Sequence, residues 1–253
     1  METTSAAALT LHYLYDPLCG WCYAAAPLVR AARGLPGLQL QAHGGGMLAG
    51  ANRRPVTPAW REYVLPHDRR IAELSGQPFG EAYFEGLLRD TGAVLDSAPP
   101  LTAVLAADAV AGRGLDMIER VQRAHYVEGR RIADPAVLRA LAEELGLPAV
   151  AFAEALQRLA GAATQAHIGD SRRWLARAQG SGFPTFAIQD TGGALEVLDT
   201  GHWLGRPAAW RVHLQGRIER AQARASSAPS PPGRAPVSPA STAAACDERG
   251  CAL

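Results

Sequence analysis

Residues 9–15 alternate in character, with Leu9, Leu11, Tyr13 and Tyr15 on one face and Thr10 and His12 on the other. That period-2 pattern predicts a partly buried strand. Asp16-Pro17 breaks it, and the Ala-rich, apolar run from Tyr23 to Arg33 predicts a helix that Gly34 stops. Leu38 to Ala42 alternates again and predicts a second strand. Strand, helix and strand make a βαβ unit with a right-handed crossover. The Gly-rich stretch from His43 to Gly46 lacks the Gly-Lys-Ser/Thr ending of a phosphate-binding loop and reads as a plain loop.

From about Pro58 to Gln179 the apolar positions recur at three- and four-residue spacing. Thr102–Ala111, Met117–Val127, Pro135–Leu145 and Val150–Leu159 are the clearest helices, in about a hundred residues without a strand signal. Asp134-Pro135 is a helix start, and Gly146-Leu147-Pro148 a stop and restart. Strands return at Phe183–Ile188, with a turn over Asp190–Gly193 and a hairpin partner at Ala194–Leu198. A closing helix from Pro207 to about Ala223 spaces Trp210, Leu214 and Ile218 four residues apart. After Arg224 the chain turns to Ser, Ala and Pro with few large apolar groups, a composition that predicts disorder.

The reading is therefore an α/β protein. Residues 1–57 and 180–223 form one domain, 58–179 a helical insertion whose last helix can belong to the first domain, and 224–253 a tail. The 253 residues suffice for a large core, and 48% of them are hydrophobic. A formal charge of +1 gives no electrostatic case for nucleic acid or membrane surfaces. All 25 basic residues are Arg, which excludes lysine-dependent catalysis. The Arg pairs, such as Arg130-Arg131 and Arg172-Arg173, read as solvated helix faces. Residues 1–8 lack the charge and apolar run of a signal peptide, and no stretch approaches a membrane span, so a cytoplasmic location is expected.

Against that background the informative motif is Cys19-Gly20-Trp21-Cys22, placed after the first strand and at the mouth of the first helix. The unpaired amides and dipole of a helix start favour an anion, and a thiolate at Cys19 is one. Two thiols three positions apart in that setting can close a short disulfide and reopen it by exchange. The competing readings are buried small side chains and half of a zinc site. His43, His125, His167 and His202 show no ligand spacing, and no metal is expected. Trp21, Trp203 and Tyr13 are candidates for the rim of a groove, although core packing is the commoner fate of aromatics. Cys246 and Cys251 in the tail read either as incidental thiols or as a second redox pair.

Cys-x-x-Cys at the first helix, a helical insertion and then Gly182-Phe183-Pro184-Thr185 resembles the thioredoxin superfamily, and within it the DsbA-type thiol–disulfide oxidoreductases. Tyr15–Tyr23 is similar to a cytosolic branch of disulfide isomerases related to FrnE-like proteins. The resemblance spans about residues 9–223. It implies a thioredoxin-like fold with an inserted helical domain, Cys19 as the exposed nucleophile and Cys22 as the more buried resolving thiol. It also implies a cis Phe183–Pro184 bond facing them, and a substrate seated on Trp21, Phe183 and Thr185. The redox-active disulfide is then the whole catalytic group, with no separate cofactor. The partner is a disulfide or thiol, either protein or a small thiol such as glutathione. Gly20-Trp21 departs from the Pro- or His-containing pairs of the family, which leaves oxidant, isomerase and reductase open. Kappa-type glutathione transferases and 2-hydroxychromene-2-carboxylate isomerases share this architecture and are the enzymatic alternative. Zinc held by four thiolates is the non-enzymatic one.

Overall fold

The computed structural model describes residues 8–227, so the predicted tail, with Cys246 and Cys251, lies outside the described residues. The central strand β1 (Leu9–Tyr15) pairs in parallel with β2 (Leu38–Gly44) and antiparallel with β5 (Thr185–Asp190). The hairpin partner β6 (Leu195–Leu198) closes a sheet of order β2-β1-β5-β6. α1 (Gly20–Ala32) and α8 (Pro207–Ser227) pack together on one face. There Trp210, fully buried, reaches Phe186 of β5 and donates its indole N–H to the Leu28 carbonyl at 3.1 Å. The four-residue spacing of Trp210, Leu214 and Ile218 is the stripe that α8 buries.

The other face departs from the half-solvated strand that the alternation predicts. α7 (Ala162–Arg177) covers β1 and β2, and His12 is 1% exposed, stacked on Trp174 with ring centres 4.1 Å apart. Its ring nitrogens meet His43 Nε2 at 2.9 Å and Gln189 Oε1 at 3.2 Å. A polar residue on that face is tolerated because each nitrogen finds a partner.

Between β2 and β5 the chain leaves the sheet. α2 (Pro58–Ser75) begins at Thr57, whose hydroxyl accepts the Trp60 amide, and ends at the left-handed Gly76. α3 (Ala98–Ala111), α4 (Gly114–Tyr126), α5 (Pro135–Glu144) and α6 (Ala149–Leu159) follow, within a residue or a few of the predicted bounds. Asp134 caps α5 by accepting the Ala136 amide at 2.8 Å. One expectation fails here: the insertion is not free of strands. β3 (Arg54–Pro55) pairs antiparallel with β4 (Val94–Leu95), and two-residue strands are too short to carry a period. The arginine pairs also do more than face water, since Arg130 and Arg131 are in ion pairs with Glu144 and Asp90.

Candidate active site

β1 ends at Tyr15 and delivers the turn that carries the cysteines. Cys19 is the N-cap of α1 in extended conformation, its carbonyl accepting the amides of Cys22 and Tyr23 at 3.0 and 3.1 Å. The helix thus starts three residues before the apolar run that predicts it. Both cysteines are free thiols and both are buried: Cys19, expected to be exposed, is only 6% exposed because it is seated against Phe183, and Cys22 is at 0%. The Cys19 thiol donates to the Phe183 carbonyl at 3.3 Å, across 164 residues of sequence. The Phe183–Pro184 bond is cis. The antiparallel pairing of Leu14 with Thr185 brings the two segments side by side.

Cys22 is held differently. Its sulfur accepts the Asp16 amide at 3.4 Å, and its carbonyl accepts the Tyr13 hydroxyl at 3.1 Å. Burial, then the adjoining Cys19 side chain, push the Cys22 thiol well above its ordinary range. The thiol at the helix mouth and the thiol beneath it are thereby made unequal.

Two carboxylates flank this turn, and neither was legible as a site residue in the sequence. Asp16 is 0% exposed and accepts from Leu18 N, Met47 N and Ser97 Oγ at 2.9, 2.6 and 2.8 Å. Burial lifts it to about 6, against the pull of those hydrogen bonds. It ties the cysteine turn to the loop after β2 and to the start of α3. Asp68 of α2 is buried, accepts the Tyr83 hydroxyl at 2.8 Å, and is likewise lifted to about 6 by burial. A Cβ on Gly20 would lie 2.9 Å from Asp68 Oδ1 and 2.8 Å from Ile71 Cδ1. Glycine between the cysteines is therefore the residue that lets α2 of the insertion sit against the redox turn.

The Gly-rich loop after β2 belongs to the site as well. A Cβ on Gly45 would fall 1.9 Å from Phe183 Cζ, so the Phe183 ring rests on bare backbone. Arg172 of α7 donates through Nε to the Gly45 carbonyl at 3.1 Å and through Nη2 to the Gly46 carbonyl at 2.9 Å. His167 Nε2 accepts the Gly44 amide at 3.1 Å. Only a close backbone approach would have signalled this role, and a run of glycines is the trace it left.

Of the remaining predicted residues, Trp21 is partly buried against the core. Thr185 is buried and gives its hydroxyl to the Gly182 carbonyl at 2.7 Å. Tyr13 does not rim a groove: it is fully buried, stacked between Tyr15 and Phe186 under α1. Trp203 stands apart, on Trp210 and His213 of α8. Among the described residues no group of three or more His, Cys, Asp or Glu is placed to hold a metal ion. Nor is any helix among them long and apolar enough to cross a membrane.

The model of the DsbA-like thioredoxin domain matches residues 10–205. The chain belongs to the DsbA-like thioredoxin family. A comparison with curated proteins gave no match. Among solved structures, the cytosolic disulfide reductase DsbM from Pseudomonas aeruginosa is 56% identical, with 83% of this chain and 99% of that one covered and a TM-score of 0.79. The same protein with GSH gives 55% identity over 83% and 99%, at a TM-score of 0.77. A Nitrosomonas europaea protein named for disulfide isomerase activity is 26% identical over 84% and 98%, with a TM-score of 0.68. A 2-hydroxychromene-2-carboxylate isomerase, at 16% identity and a TM-score of 0.53, shares the fold alone. The chain is a thiol–disulfide oxidoreductase of thioredoxin-like fold.

Proposed function

We propose that this oxidoreductase reduces disulfides, with Cys19 as the attacking thiol, Cys22 as the resolving thiol and glutathione as the electron donor. The observation that carries the reading is the unequal pair: Cys19 at the helix mouth against the Phe183 carbonyl, Cys22 sealed beneath it with its thiol held up by burial. The Cys19 thiolate attacks a substrate disulfide, forming a mixed disulfide and releasing one substrate thiol. Cys22 then attacks Cys19 Sγ, closing the enzyme disulfide and releasing the second thiol. Two glutathione molecules reopen that disulfide in two exchange steps and leave as one oxidised dimer, their two protons matching the two substrate thiols formed.

The backbone beside Pro184 gives an extended substrate segment a place to pair, with Trp21 and Phe183 beside it. The dithiol pair is the redox group, and the exchange as written calls on no further cofactor. Glutathione and a cytoplasmic setting are supported by the Pseudomonas relative, a cytosolic disulfide reductase whose structure is also solved with GSH. The unequal thiols also suit isomerisation, because a slowly resolved mixed disulfide lets a substrate rearrange.

Glutathione-driven reduction of insulin, paired with refolding of scrambled ribonuclease, tests the reading. Wild-type turnover should exceed that of Cys19→Ser by at least about a hundredfold, the loss expected when the attacking nucleophile is removed. Rates equal to those of Cys19→Ser in both assays would overturn it.

A further inference from the structure

Gly44 ends β2, and Gly45 and Gly46 continue into the loop on which the Phe183 ring rests. The loop has no slack. Leu101 of α3 lies against Gly44, its Cδ2 2.2 Å from where a Cβ would be, and Ile168 of α7 lies against Gly46, its Cδ1 2.7 Å from the Cβ position there. The Gly45 amide donates to the Tyr15 carbonyl at 2.8 Å. A close-packed interior transmits displacement rather than absorbing it. A shift at Gly44 therefore passes to Gly45, to the Phe183 ring and to the carbonyl that receives the Cys19 thiol at 3.3 Å.

Two histidine contacts hold the end of β2, and a count of donors and acceptors makes them unequal. Gln189 of β5 donates through Nε2 to the Gly193 carbonyl at 3.3 Å, which turns its Oε1 toward His12. His12 Nε2 then carries the hydrogen, and its bare Nδ1 accepts from His43 Nε2 at 2.9 Å. A further proton on His43 Nδ1 leaves that bond in place. His167 of α7 is different. Its Nε2 accepts the Gly44 amide at 3.1 Å, and an amide N–H only donates, so the ring hydrogen sits on Nδ1. The vacant position for a proton is Nε2 itself. A charged His167 sets N–H against N–H, so protonation and the bond to Gly44 exclude each other. The charged ring has another acceptor at hand, because the buried Ser171 hydroxyl lies 3.4 Å from the same nitrogen.

We infer that His167 is a positioning residue for thiol–disulfide exchange: its uncharged ring holds Gly44, Gly45 holds Phe183, and the Phe183 carbonyl seats Cys19. A proton on His167 withdraws that seat while the fold stands. The inference rests on the assignment of Cys19 as the attacking thiol. Burial lowers His167 below its ordinary 6.5, so the ring is neutral at neutral pH and takes its proton in weak acid. The ionisable groups around it are His43 of β2, which it lowers in turn, and behind that His12 of β1. On α7 itself, Arg172 is engaged by the Gly45 and Gly46 carbonyls, and Asp170 is paired with Arg173. α3 and α6 meet α7 through Thr102, Thr164 and the Leu159 carbonyl, which do not titrate. Asp108 of α3, and Glu154 and Arg158 of α6, add nothing to the lowering.

The test is the stopped-flow rate at which the reduced full chain attacks an aromatic disulfide, 5,5′-dithiobis(2-nitrobenzoate), from weak acid to neutral pH. His167→Gln keeps an acceptor for Gly44 and cannot take up the proton, whereas His167→Leu has no acceptor. At neutral pH the Gln variant should react about tenfold faster than the Leu variant, the scale for restoring a misplaced reacting group. Dividing the wild-type rate by that of His167→Gln cancels the thiolate fraction of Cys19. On acidification this ratio should fall about tenfold, with a midpoint below 6.5. In amide NMR spectra the Gly44 resonance should move with the same midpoint in wild type and stay still in His167→Gln. If the Gln variant does not fold, the wild-type rate divided by the thiolate absorbance of Cys19 serves as the ratio, because the Cys22 thiol stays protonated. A flat ratio, or a Gly44 resonance that does not titrate, would overturn the inference. Attack that persists in Cys19→Ser would instead remove the assignment on which it rests; the Gly44 titration can be followed in that variant too and is independent of it.

Discussion

The ring of Phe183 occupies the space that a side chain on residue 45 would need, with Cζ 1.9 Å from where the Cβ would lie. The loop after β2 and the segment before β5 are thereby fitted to each other, and the carbonyl that receives the Cys19 thiol is fixed by the fit. Gly45→Ala should push Phe183 aside and cost about 1–3 kcal/mol by overpacking. Insulin reduction should drop about tenfold or more, as expected when a reacting group is misplaced. Chemical denaturation and turnover, measured on the same sample, check both parts.

Arg172 holds the same loop from the opposite side through the Gly45 and Gly46 carbonyls. Arg172→Ala should lower stability by about 1–3 kcal/mol, the scale for hydrogen bonds from a charged donor. Arg172→Lys should recover only part of the loss, because an ammonium does not reproduce the two-pronged geometry. Denaturant midpoints of the two variants give the comparison.

The two thiols should separate under alkylation. Cys22 is fully buried with its thiol pushed up, whereas Cys19 retains a little exposure. Iodoacetamide on the reduced protein near neutral pH should label Cys19 at least about a hundredfold faster. Peptide mass mapping over time reads this directly, and comparable rates would contradict the buried assignment.

Stability should carry the mark of the buried acids. Asp16 and Asp68 sit at about 6 in the folded chain, above the unfolded value near 3.9, so each binds its proton more readily when folded. Their stabilising contribution is full below about pH 4 and is lost as pH rises through about 6, by up to about 3 kcal/mol per group. His12 and His125, which are buried, and His43 and His167, which are half-buried, are lowered and pull the opposite way across the same window. The difference between wild type and Asp16→Asn, or Asp68→Asn, isolates each acid. That difference should shrink as pH rises from about 4 to about 7 in denaturant titrations, and a constant difference would refute it.

The last prediction concerns the tail. The core stripe of α8 ends with Ile218, well before residue 228. Deleting residues 228–253 should leave the melting temperature within about 2–4 °C of that of the full chain, and insulin reduction within about a factor of two. If Cys246 and Cys251 exchange with the first pair, mild oxidation of Cys22→Ser should trap Cys19 with one of them. Non-reducing peptide mapping detects the cross-link.

Much of this was legible in the chain because it is written at short range. Leu9–Tyr15, the Cys19–Cys22 turn and the α3–α6 helices each announce themselves through period, breaker or cap. What escaped is long-range. Asp16 reads locally as a turn-former, and only the approach of Met47 and Ser97 makes it a buried hub. Asp68 lies on an amphipathic helix, where one acid looks like any other until Gly20 is brought against it. His12 looked solvent-facing because the alternation cannot show that α7 covers that side.

The pairing of Leu14 with Thr185 has a consequence for how the protein is made. The segment bearing the thiols leaves the ribosome 164 residues before its counterpart, counted from Cys19 to Phe183. At roughly 5–20 residues per second, that interval lasts on the order of ten seconds or more. Throughout it the dithiol is made but not seated, an ordinary pair of cysteines open to stray oxidation. The surroundings of the Cys19 thiol are complete only once that later strand has arrived.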